Sequence, residues 1–374
     1  MAQAYSPGLT VTDSIVLRKE RILPLKGKVL VKKGDKVKAD DFVAETLLPG
    51  KVVPFNLANK LGVDPKFMKD YIKIKEGDIL KVGSVLAETK GFLGLFKSVV
   101  KSPIEGEVES ISSLTGQLLL REPRIPVQVK AFIDGIVDEV IEAEGVIIEN
   151  KSAYIQGIFG LGGETNGEIK VLAESPDEVI KPEKIDDSCQ GKIIVCGAIA
   201  PLNIIRKAQK TGVAGIITGG LDDQDLKDLL GYDIGVAITG HEEIGLTIVA
   251  TEGFGNINMA KKTFELLKRF EGHKTSIHGF TQIRAGVMRP EIIIPIEFKE
   301  EELKAEEPKM SELLIGTTIR VIRQPNFGKI GKVTGLPEKL TPVESETLVR
   351  ILEAELEDGS RVTIPRANVE VIEE

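Results

Sequence analysis

A thirteen-residue pattern occurs twice near the beginning of the chain, at residues 34–46 and 77–89. The first copy reads GDKVKADDFVAET and the second reads GDILKVGSVLAET. Each has a Gly-Asp turn, an apolar residue, a second turn around Asp40 or Gly83, and an apolar stretch that ends in Ala-Glu-Thr. Turn residues that separate brief apolar runs are typical of short strands. The repeat therefore predicts a duplicated β unit.

A second pair of related segments follows, at residues 102–111 and 132–141. They read SPIEGEVESI and FIDGIVDEVI, with Gly106 and Gly135 at equivalent positions. We expect these glycines to supply turns with positive φ, which glycine adopts at little steric cost. The two pairs predict an all-β domain with an internal duplication at residues 20–170, after an N-terminal arm at residues 1–19. The segment 57–71 between the copies has a helical pattern.

The four segments together resemble the barrel-sandwich hybrid of biotinyl and lipoyl carrier domains. That family repeats SPxxGxVxxI and VxxGDxVxxGxxLAE, which residues 102–108 (SPIEGEV) and 77–83 (GDILKVG) match. The resemblance implies the fold; a carrier function would also need an acceptor lysine on a hairpin. The nearest candidate, Lys69, lies in the helical segment and only eight residues before Gly77, so we interpret it as a solvated helix lysine. No cofactor is predicted. The same barrel, without a prosthetic group, resembles inserts of RNA polymerase large subunits and the N-terminal regions of RnfC and NqrA.

The central part of the chain has a different pattern. Apolar runs between residues 192 and 255 alternate with helical patterns at residues 201–210, 222–230 and 259–270. Such alternation is typical of a parallel sheet with helices on its faces. We therefore predict an α/β domain at residues 185–296, with its closing strand at 291–296, followed by a charged linker at residues 297–312.

The last block, residues 313–374, returns to short β segments. Residues 316–322 (GTTIRVI) and 327–333 (FGKIGKV) closely resemble a KOW motif, whose signature is the turn at Gly331. The resemblance implies an SH3-like barrel and contact with RNA or protein, as in transcription and ribosomal proteins. The predicted fold class is thus multidomain α+β, with an N-terminal all-β barrel-sandwich hybrid, a central α/β parallel-sheet domain and a C-terminal SH3-like (KOW) β-barrel.

Three strands of the central domain end in similar polar loops. Because ligands of open α/β sheets bind outside the carboxyl ends of the strands, we expect these loops to form a pocket for a small polar ligand. The alternative is that they are ordinary loop and helix-capping residues. Neither GxGxxG nor GxxxxGK[ST] occurs. The candidate ligand-binding residues in the loops are Thr218, Gly219, Gly220, Thr239, His241, Glu242, Thr251 and Glu252.

Two arginines in the polar stretch that follows, Arg284 and Arg289, could bind an anion or form salt bridges to neighbouring acids. The three histidines could join Glu242 or Cys196 in a metal site, but their spacing does not require one, and surface or capping roles are favoured. Cys196 lies within an apolar strand and is interpreted as a small buried hydrophobe. No metal is predicted.

The charge of the KOW-like block favours protein over nucleic acid as its partner. It has three Lys and five Arg against ten Asp and Glu, a net charge of about −2. Binding to phosphates needs a basic face, and only a small patch around the Gly331 turn offers one. The candidate contact residues for RNA or protein are Arg320, Arg323, Lys329, Gly331 and Lys332.

The whole chain has 374 residues, a net charge of −8 and two cysteines. This composition predicts a cytoplasmic protein without a disulfide framework, and neither a signal peptide nor a membrane-spanning run is recognised. Two functions remain open. The favoured one is a non-catalytic adaptor or assembly factor with a protein partner, for example the ribosome or RNA polymerase, and with RNA contact as second choice. The alternative is an enzyme or redox-complex subunit that binds a small polar ligand, flavin or nucleotide at the strand ends; the domain order resembles NqrA and RnfC, although the cluster cysteines of RnfC are absent.

Overall fold

A computed structural model describes residues 9–89, 97–112, 114–232, 242, 244–281, 288–297, 313–321, 326, 329–337, 341–342 and 348–371. The described part is rich in β-structure. It contains a large mixed sheet, several smaller sheets and four separate clusters of buried apolar side chains. No helix in these ranges is long and apolar enough to cross a membrane.

The duplicated part of the chain consists of short strands and two short helices. In chain order the strands are β1 (Val11–Ile22), β2 (Lys28–Val29), β3 (Lys36–Val37), β4 (Phe42–Leu48), β5 (Val52–Asn56), β6 (Ile79–Leu80), β7 (Val85–Glu88), β8 (Val99–Lys101), β9 (Gly106–Ile111), β10 (Gln117–Arg121), β11 (Ile125–Lys130), β12 (Gly135–Ile141) and β13 (Gly145–Gln156). Helix α1 (Leu57–Leu61) and a 3-10 helix (Pro65–Asp70) separate β5 from β6. The stretch expected to be an N-terminal arm thus contributes its residues 11–19 to β1.

The two copies are nested, because one is inserted into the other. Copy A comprises β1–β4 and β11–β13, and copy B comprises β5–β10, which lie between β4 and β11. Strand β4 pairs with β11 as β7 pairs with β8, and β3 pairs with β12 as β6 pairs with β9. The pairs correspond residue by residue: Ala44 lies opposite Val129 as Ala87 lies opposite Val100.

The Gly-Asp turns explain why the two copies share a sequence. Gly34 and Gly77 have φ values of 88° and 86°, which a residue with a side chain rarely adopts. The backbone N–H of Gly34 donates to the carbonyl of Val137 at 2.8 Å, and that of Gly77 donates to Val108 at the same distance. The duplication that the sequence predicts therefore extends to the backbone hydrogen bonds.

Each copy has its own hydrophobic core. The core of copy A includes Val43 and Ile148, whereas that of copy B includes Leu86 and Leu118. This differs from the single 20–170 unit expected from the sequence. The physical reason is the helical segment between β5 and β6, because its apolar side chains, Met68 among them, are buried and fill the core of copy B without help from copy A.

Within its described residues, the central part adds seven strands and three helices. They are β14 (Phe159–Leu161), β15 (Glu164–Val171), β16 (Ile193–Val195), α2 (Leu202–Thr211), β17 (Gly215–Leu221), α3 (Asp223–Leu230), β18 (Thr247–Phe254), α4 (Lys261–Arg269), β19 (Lys274–His278) and β20 (Glu291–Pro295). Two 3-10 helices, Pro182–Lys184 and Asp187–Cys189, precede β16. The expected strand at residues 234–240 lies outside the described residues.

The large sheet joins copy A to the central strands. Its order is β14-β18-β17-β16-β15-β19-β20-β13-β12-β3, and β1 also pairs with β13. Strands β16 to β18 are parallel, as expected, and β15, which the sequence analysis placed in the N-terminal unit, is parallel to β16; β20 runs antiparallel to both β13 and β19. The predicted closing strand of a parallel sheet is therefore a member of the antiparallel part. The sheet is mixed because β15 pairs in parallel with β16 and antiparallel with β19. The twelve residues of β13 are long enough to pair with β12 near one end and β20 near the other.

The C-terminal part forms a separate antiparallel sheet with the order β26-β25-β22-β21-β27. Its buried cluster includes Ile319 and Leu352. Gly331 allows two strands to approach closely, because a Cβ atom there would lie 2.6 Å from the carbonyl oxygen of Glu355. The strands are β21 (Thr318–Val321), β22 (Ile330–Gly335), β23 (Thr341–Pro342), β24 (Leu348–Val349), β25 (Ile351–Leu356), β26 (Arg361–Pro365) and β27 (Val369–Val371), with a 3-10 helix at Arg366–Asn368.

Excision of copy B tests the nested arrangement. Leu48 and Ile125 lie directly opposite each other in the β4–β11 pair, so a two-residue Asn-Gly turn can join them in place of residues 49–124. We expect the shortened chain to fold cooperatively with the β-rich circular dichroism of the remaining sheets, because the core of copy A loses no member. Deletion of residues 28–48, which removes half of copy A, is the control that should abolish cooperative unfolding. Equal damage from both deletions would contradict separate cores.

Candidate functional site

The carboxyl ends of β17 and β18 bring several predicted ligand residues together. Thr218 and Thr251 are buried on these neighbouring strands. The Oγ1 atom of Thr251 donates to the carbonyl oxygen of Thr218 at 3.2 Å, and the Oγ1 atom of Thr218 donates to the carbonyl oxygen of Gly220 at 3.3 Å. Both hydroxyl groups thus hold the strand ends in place.

The two glycines after Thr218 are packed against other backbone. A Cβ atom at Gly219 would lie 2.3 Å from the carbonyl oxygen of Ile257, and one at Gly220 would lie 2.0 Å from that of Gly255. Contacts this short are impossible for a side chain. Glycine is therefore required here for the close approach of the segment that follows β18, which lies in the space that a ligand loop would leave open.

Glu252, at the end of β18, connects two further elements to this edge. Only 4% of the residue is exposed. Its Oε1 atom accepts the backbone N–H of Ala260, the N-cap of α4, at 2.9 Å, where the helix dipole favours a negative charge. Its Oε2 atom forms an ion pair with Nη2 of Arg320 on β21, which is 6% exposed. The C-terminal sheet is thereby anchored to the edge of the parallel strands.

A second arginine lies near the ion pair of Glu252 and Arg320. Burial and the nearby charge of Arg320 both lower the pKa of Arg289, so the two guanidinium groups lie near each other. The Nη1 atom of Arg320 is buried and has no hydrogen-bond partner. A buried donor without an acceptor is costly, and a small anion would satisfy it.

The structure thus brings five of the predicted ligand-binding residues together with one residue that was predicted to lie elsewhere. Thr218, Gly219, Gly220, Thr251 and Glu252 lie at one edge. Arg320, which the sequence assigned to the surface patch around Gly331, points into this edge instead. Both sequence neighbours of Glu242 lie outside the described residues. Its backbone carbonyl oxygen accepts a hydrogen bond from the N–H of Ile244 at 2.9 Å. The candidates that lie outside the described residues are Thr239, His241, Arg284 and Arg323.

Gly331 lies within β22 and not in a turn, so the turn expected at this position is wrong, and two of the predicted contact residues beside it are exposed. Lys332 is exposed, and the exposed Lys329 donates from Nζ to Asp358 at 2.8 Å. Hydrogen bonds from Lys329 and Ser360 hold the pKa of Asp358 well below its usual value. Gly331 itself is buried between strands. The described patch is therefore small, and part of its charge is already neutralised.

A buried ionic cluster that the sequence did not predict lies where copy A meets the central strands. Glu291, the first residue of β20, accepts a hydrogen bond from Tyr154 Oη at 2.5 Å. Its other carboxylate oxygen binds His278 Nε2 at 3.0 Å and pairs with Lys19. These residues are far apart in sequence and form no local motif. The only local signal is a charged residue directly before the apolar run IIIP of β20.

Electrostatics keep Glu291 ionised despite its burial. Burial alone would raise the pKa, but the hydrogen bond from His278 and the charge of Lys19 outweigh it and lower the pKa to about 2. Burial and the Glu291 charge raise the pKa of Tyr154, so this phenol remains a donor. The Nδ1 atom of His278 is buried without a partner, so it is closed to substrate. The cluster therefore joins β1, β13, β19 and β20 as an ionic clamp.

The described residues show no metal centre and no activated thiol. No group of three or more His, Cys, Asp or Glu side chains within these ranges could hold a metal ion. Cys189 and Cys196 are both buried, and burial raises the pKa of Cys196 to about 12. A thiol with this pKa is protonated at neutral pH, so Cys196 is not a nucleophile there.

Comparison with known proteins finds one weak structural similarity. No protein-family model matches the chain, and no curated protein matches it. Among solved structures, the chain is similar to one in the crystal structure of the MjSpt4:Spt5 complex, conformation B, with 14% identity. The match covers 26% of this chain and 78% of that chain, with a TM-score of 0.14. A TM-score this low assigns neither fold nor function.

The clamp predicts a specific dependence of stability on pH. Because the pKa of Glu291 falls from an ordinary 4.5 to about 2 on folding, its ionised form stabilises the protein above about pH 4.5, and this contribution is lost as the pH falls toward 2. We expect Glu291→Gln to reduce the free energy of unfolding by on the order of 3 kcal/mol at pH 6, and by progressively less below pH 4.5. Urea unfolding followed by circular dichroism between pH 2 and 6 measures this.

The exposed Glu183 provides the control for this experiment. Glu183→Gln should leave the free energy of unfolding unchanged at every pH, because no buried partner is lost. A Glu291→Gln difference that is constant down to pH 2 would mean that the carboxylate charge contributes nothing to the clamp.

A double-mutant cycle tests the anchor between the C-terminal sheet and the parallel strands. Arg320→Ala leaves a buried carboxylate without its cation and should cost about 3–5 kcal/mol in the free energy of unfolding. Glu252→Gln keeps an oxygen for the N–H of Ala260 but removes the charge. We expect the double variant to lose about 0.5–3 kcal/mol less than the sum of the single losses. The exposed Lys329–Asp358 pair is the control and should couple by less than about 1 kcal/mol. Additive losses at Glu252 and Arg320 would contradict the anchor.

Proposed function

We propose that the protein is a non-catalytic, cytoplasmic adaptor or assembly factor. The observation that carries this proposal is the occupied edge of the parallel strands. An α/β enzyme keeps this edge open for its ligand. Here Glu252 binds both Ala260 and Arg320, and the glycines after Thr218 pack against the chain's own backbone. Residues that could have served a ligand hold a second module in a fixed position, which suits a protein that presents several binding surfaces.

The N-terminal part is proposed to be a pair of barrel-sandwich-like modules that serve for docking rather than as carriers. The matched Gly-Asp turns of the two copies support the family resemblance. A carrier function lacks support, because Lys69 lies on a 3-10 helix next to the fully buried Met68 and not on a hairpin. A lysine fixed to a packed helix could not move a prosthetic group between sites.

The C-terminal part is proposed to be a KOW module with an SH3-like barrel. Four strands follow one another in the sheet, and the fifth, β27, returns to pair with β21 after a 3-10 helix. This arrangement fits the resemblance carried by residues 316–333. The net negative charge of the block and the small size of the lysine patch favour a protein partner, with RNA as second choice. The family resemblance points to the transcription or translation machinery.

Binding to purified ribosomes, RNA polymerase and RNA tests the adaptor proposal. We expect the full chain to bind one of them, and Lys332→Glu to weaken that binding about tenfold because it reverses an exposed charge next to Gly331 in the KOW-like segment. Lys181→Glu, at an exposed site on the central part, is the control. Co-sedimentation or interferometry gives the dissociation constants. Absence of binding to all three, or equal binding by Lys332→Glu, would contradict the proposal.

A second candidate function has one observation in its favour. The Nη1 atom of Arg320 is buried without an acceptor, beside Glu252 and near Arg289, which fits a small anion. In the same preparations, a rise of the melting temperature with phosphate, flavin or nucleotide would support this ligand site over the adaptor. Arg320→Lys, which keeps the charge but loses the planar guanidinium, should then reduce the rise.

A further inference from the structure

The two copies allow the same surface to be compared in two environments. Their Gly-Asp segments have nearly the same pattern of buried and exposed residues, with one clear reversal. Ala39 of copy A is 1% exposed, whereas Val82, its equivalent in copy B, is 69% exposed. A larger apolar side chain thus stands in solvent where the smaller one is covered.

The neighbouring segment shows the same reversal. Phe132 is buried in copy A, and its equivalent Pro103 is exposed in copy B. The strand pairing beside the turn is shared, because Ala131 N–H donates to Asp41 O at 2.8 Å and the equivalent Ser102 N–H donates to Ser84 O at 2.8 Å. The turn itself differs, because Phe132 has a φ of 69° and proline at position 103 cannot adopt a positive φ. The copies therefore differ both in this turn and in what lies against it.

Strands β15 and β19 of the central sheet cover the face of copy A. The hydroxyl of Ser276 donates to the carbonyl oxygen of Phe132. Asn166 Nδ2 donates to Asp40 Oδ1 at 3.1 Å, and Lys274 Nζ lies 3.8 Å from Asp134 Oδ1. This face is therefore built to receive a pair of strands that offers a hydroxyl group, an amide and a lysine.

The equivalent face of copy B keeps the features that such a contact needs. Glu105 occupies the position of Asp134, so the acid opposite the lysine is present. Ile79 is 83% exposed on β6, which ends its sheet in the described structure, as the equivalent β3 does in copy A. An exposed Ile on an edge strand and an exposed Val in the turn that follows it mark an interaction surface.

We infer that Ile79, Val82, Pro103 and Glu105, here called the copy B face, dock a partner protein. The partner presents β-structure with apolar side chains and a lysine or arginine that pairs with Glu105. This inference rests on the proposed adaptor function and adds the surface and the chemistry of its partner. A second copy of this chain cannot supply the same surface, because its β15 and β19 are already covered by its own copy A.

A photo-crosslinking amino acid at position 82 of the full chain, expressed in its native cells, tests the inference. We expect one protein adduct whose crosslinked segment is a strand with a lysine or arginine. The same probe at the exposed Val140 of copy A should not form this adduct. Val82→Asp should leave the melting temperature within about 2 °C of the parent, as expected for an exposed site, and weaken binding of the purified partner at least about tenfold.

Charge exchange then tests the predicted chemistry. Glu105→Lys should weaken binding of the identified partner, and a Lys→Glu or Arg→Glu change at the crosslinked segment should restore it. No adduct at position 82, an adduct to a second copy of this chain, or a Glu105→Lys loss that no charge reversal restores would overturn the inference. These outcomes are independent of the Lys332→Glu result. An adaptor that binds only through its KOW-like segment would lose binding with Lys332→Glu and would form no adduct at position 82.

Discussion

Strand β13 is the element on which the positions of the other units depend. Its backbone pairs with β1 and β12 of copy A and with β20 of the central sheet. A strand has two edges, so β13 can serve three neighbours only because β12 and β20 occupy different parts of one edge while β1 takes the other. Backbone hydrogen bonds in a continuous sheet fix register as well as distance. Copy A is therefore not a freely tethered module, and the surface that it offers to β15 and β19 is set by this pairing.

The ionic clamp around Glu291 reinforces the same junction. Backbone pairing holds β13 beside β20, and the side chains around Glu291 add a second set of contacts between these strands and their neighbours. Lys19 comes from β1, and His278 comes from β19, so one carboxylate connects strands on both sides of the junction. Such a buried group contributes only if all of its partners are present, because removal of one leaves the others desolvated and unpaired.

Local patterns in the sequence predicted part of the local structure. The repeated Gly-Asp turns and the alternation of apolar runs with helices each depend on residues near one another in the chain. The positive φ expected at Gly106 and Gly135 is wrong, because both glycines begin strands with a negative φ. Contacts between distant residues were not predictable in this way. Arg320 was assigned to a surface patch because Lys329 and Lys332 are its neighbours in sequence, yet its partner is Glu252, 68 residues earlier. Nor does any pattern link Lys19, Tyr154, His278 and Glu291, since each belongs to a different strand. The nesting of copy B inside copy A was also hidden, because similarity between segments does not say which strands pair.

The nested duplication places equivalent faces of the two copies in different surroundings. Two copies with the same turns start with the same docking face, and copy A uses that face to join the central sheet. An insertion at the β4–β11 connection places copy B where its own face has no such neighbour in the described structure. If exposure of Ile79 and Val82 had no use, polar residues would serve there better, because apolar side chains at a strand edge promote association. In copy A the position of Ile79 is occupied by Lys36, which is exposed on β3 at the end of the large sheet. The exchange of Lys36 for Ile79 and of Ala39 for Val82 therefore makes copy B more apolar at the two positions that a docking partner would cover.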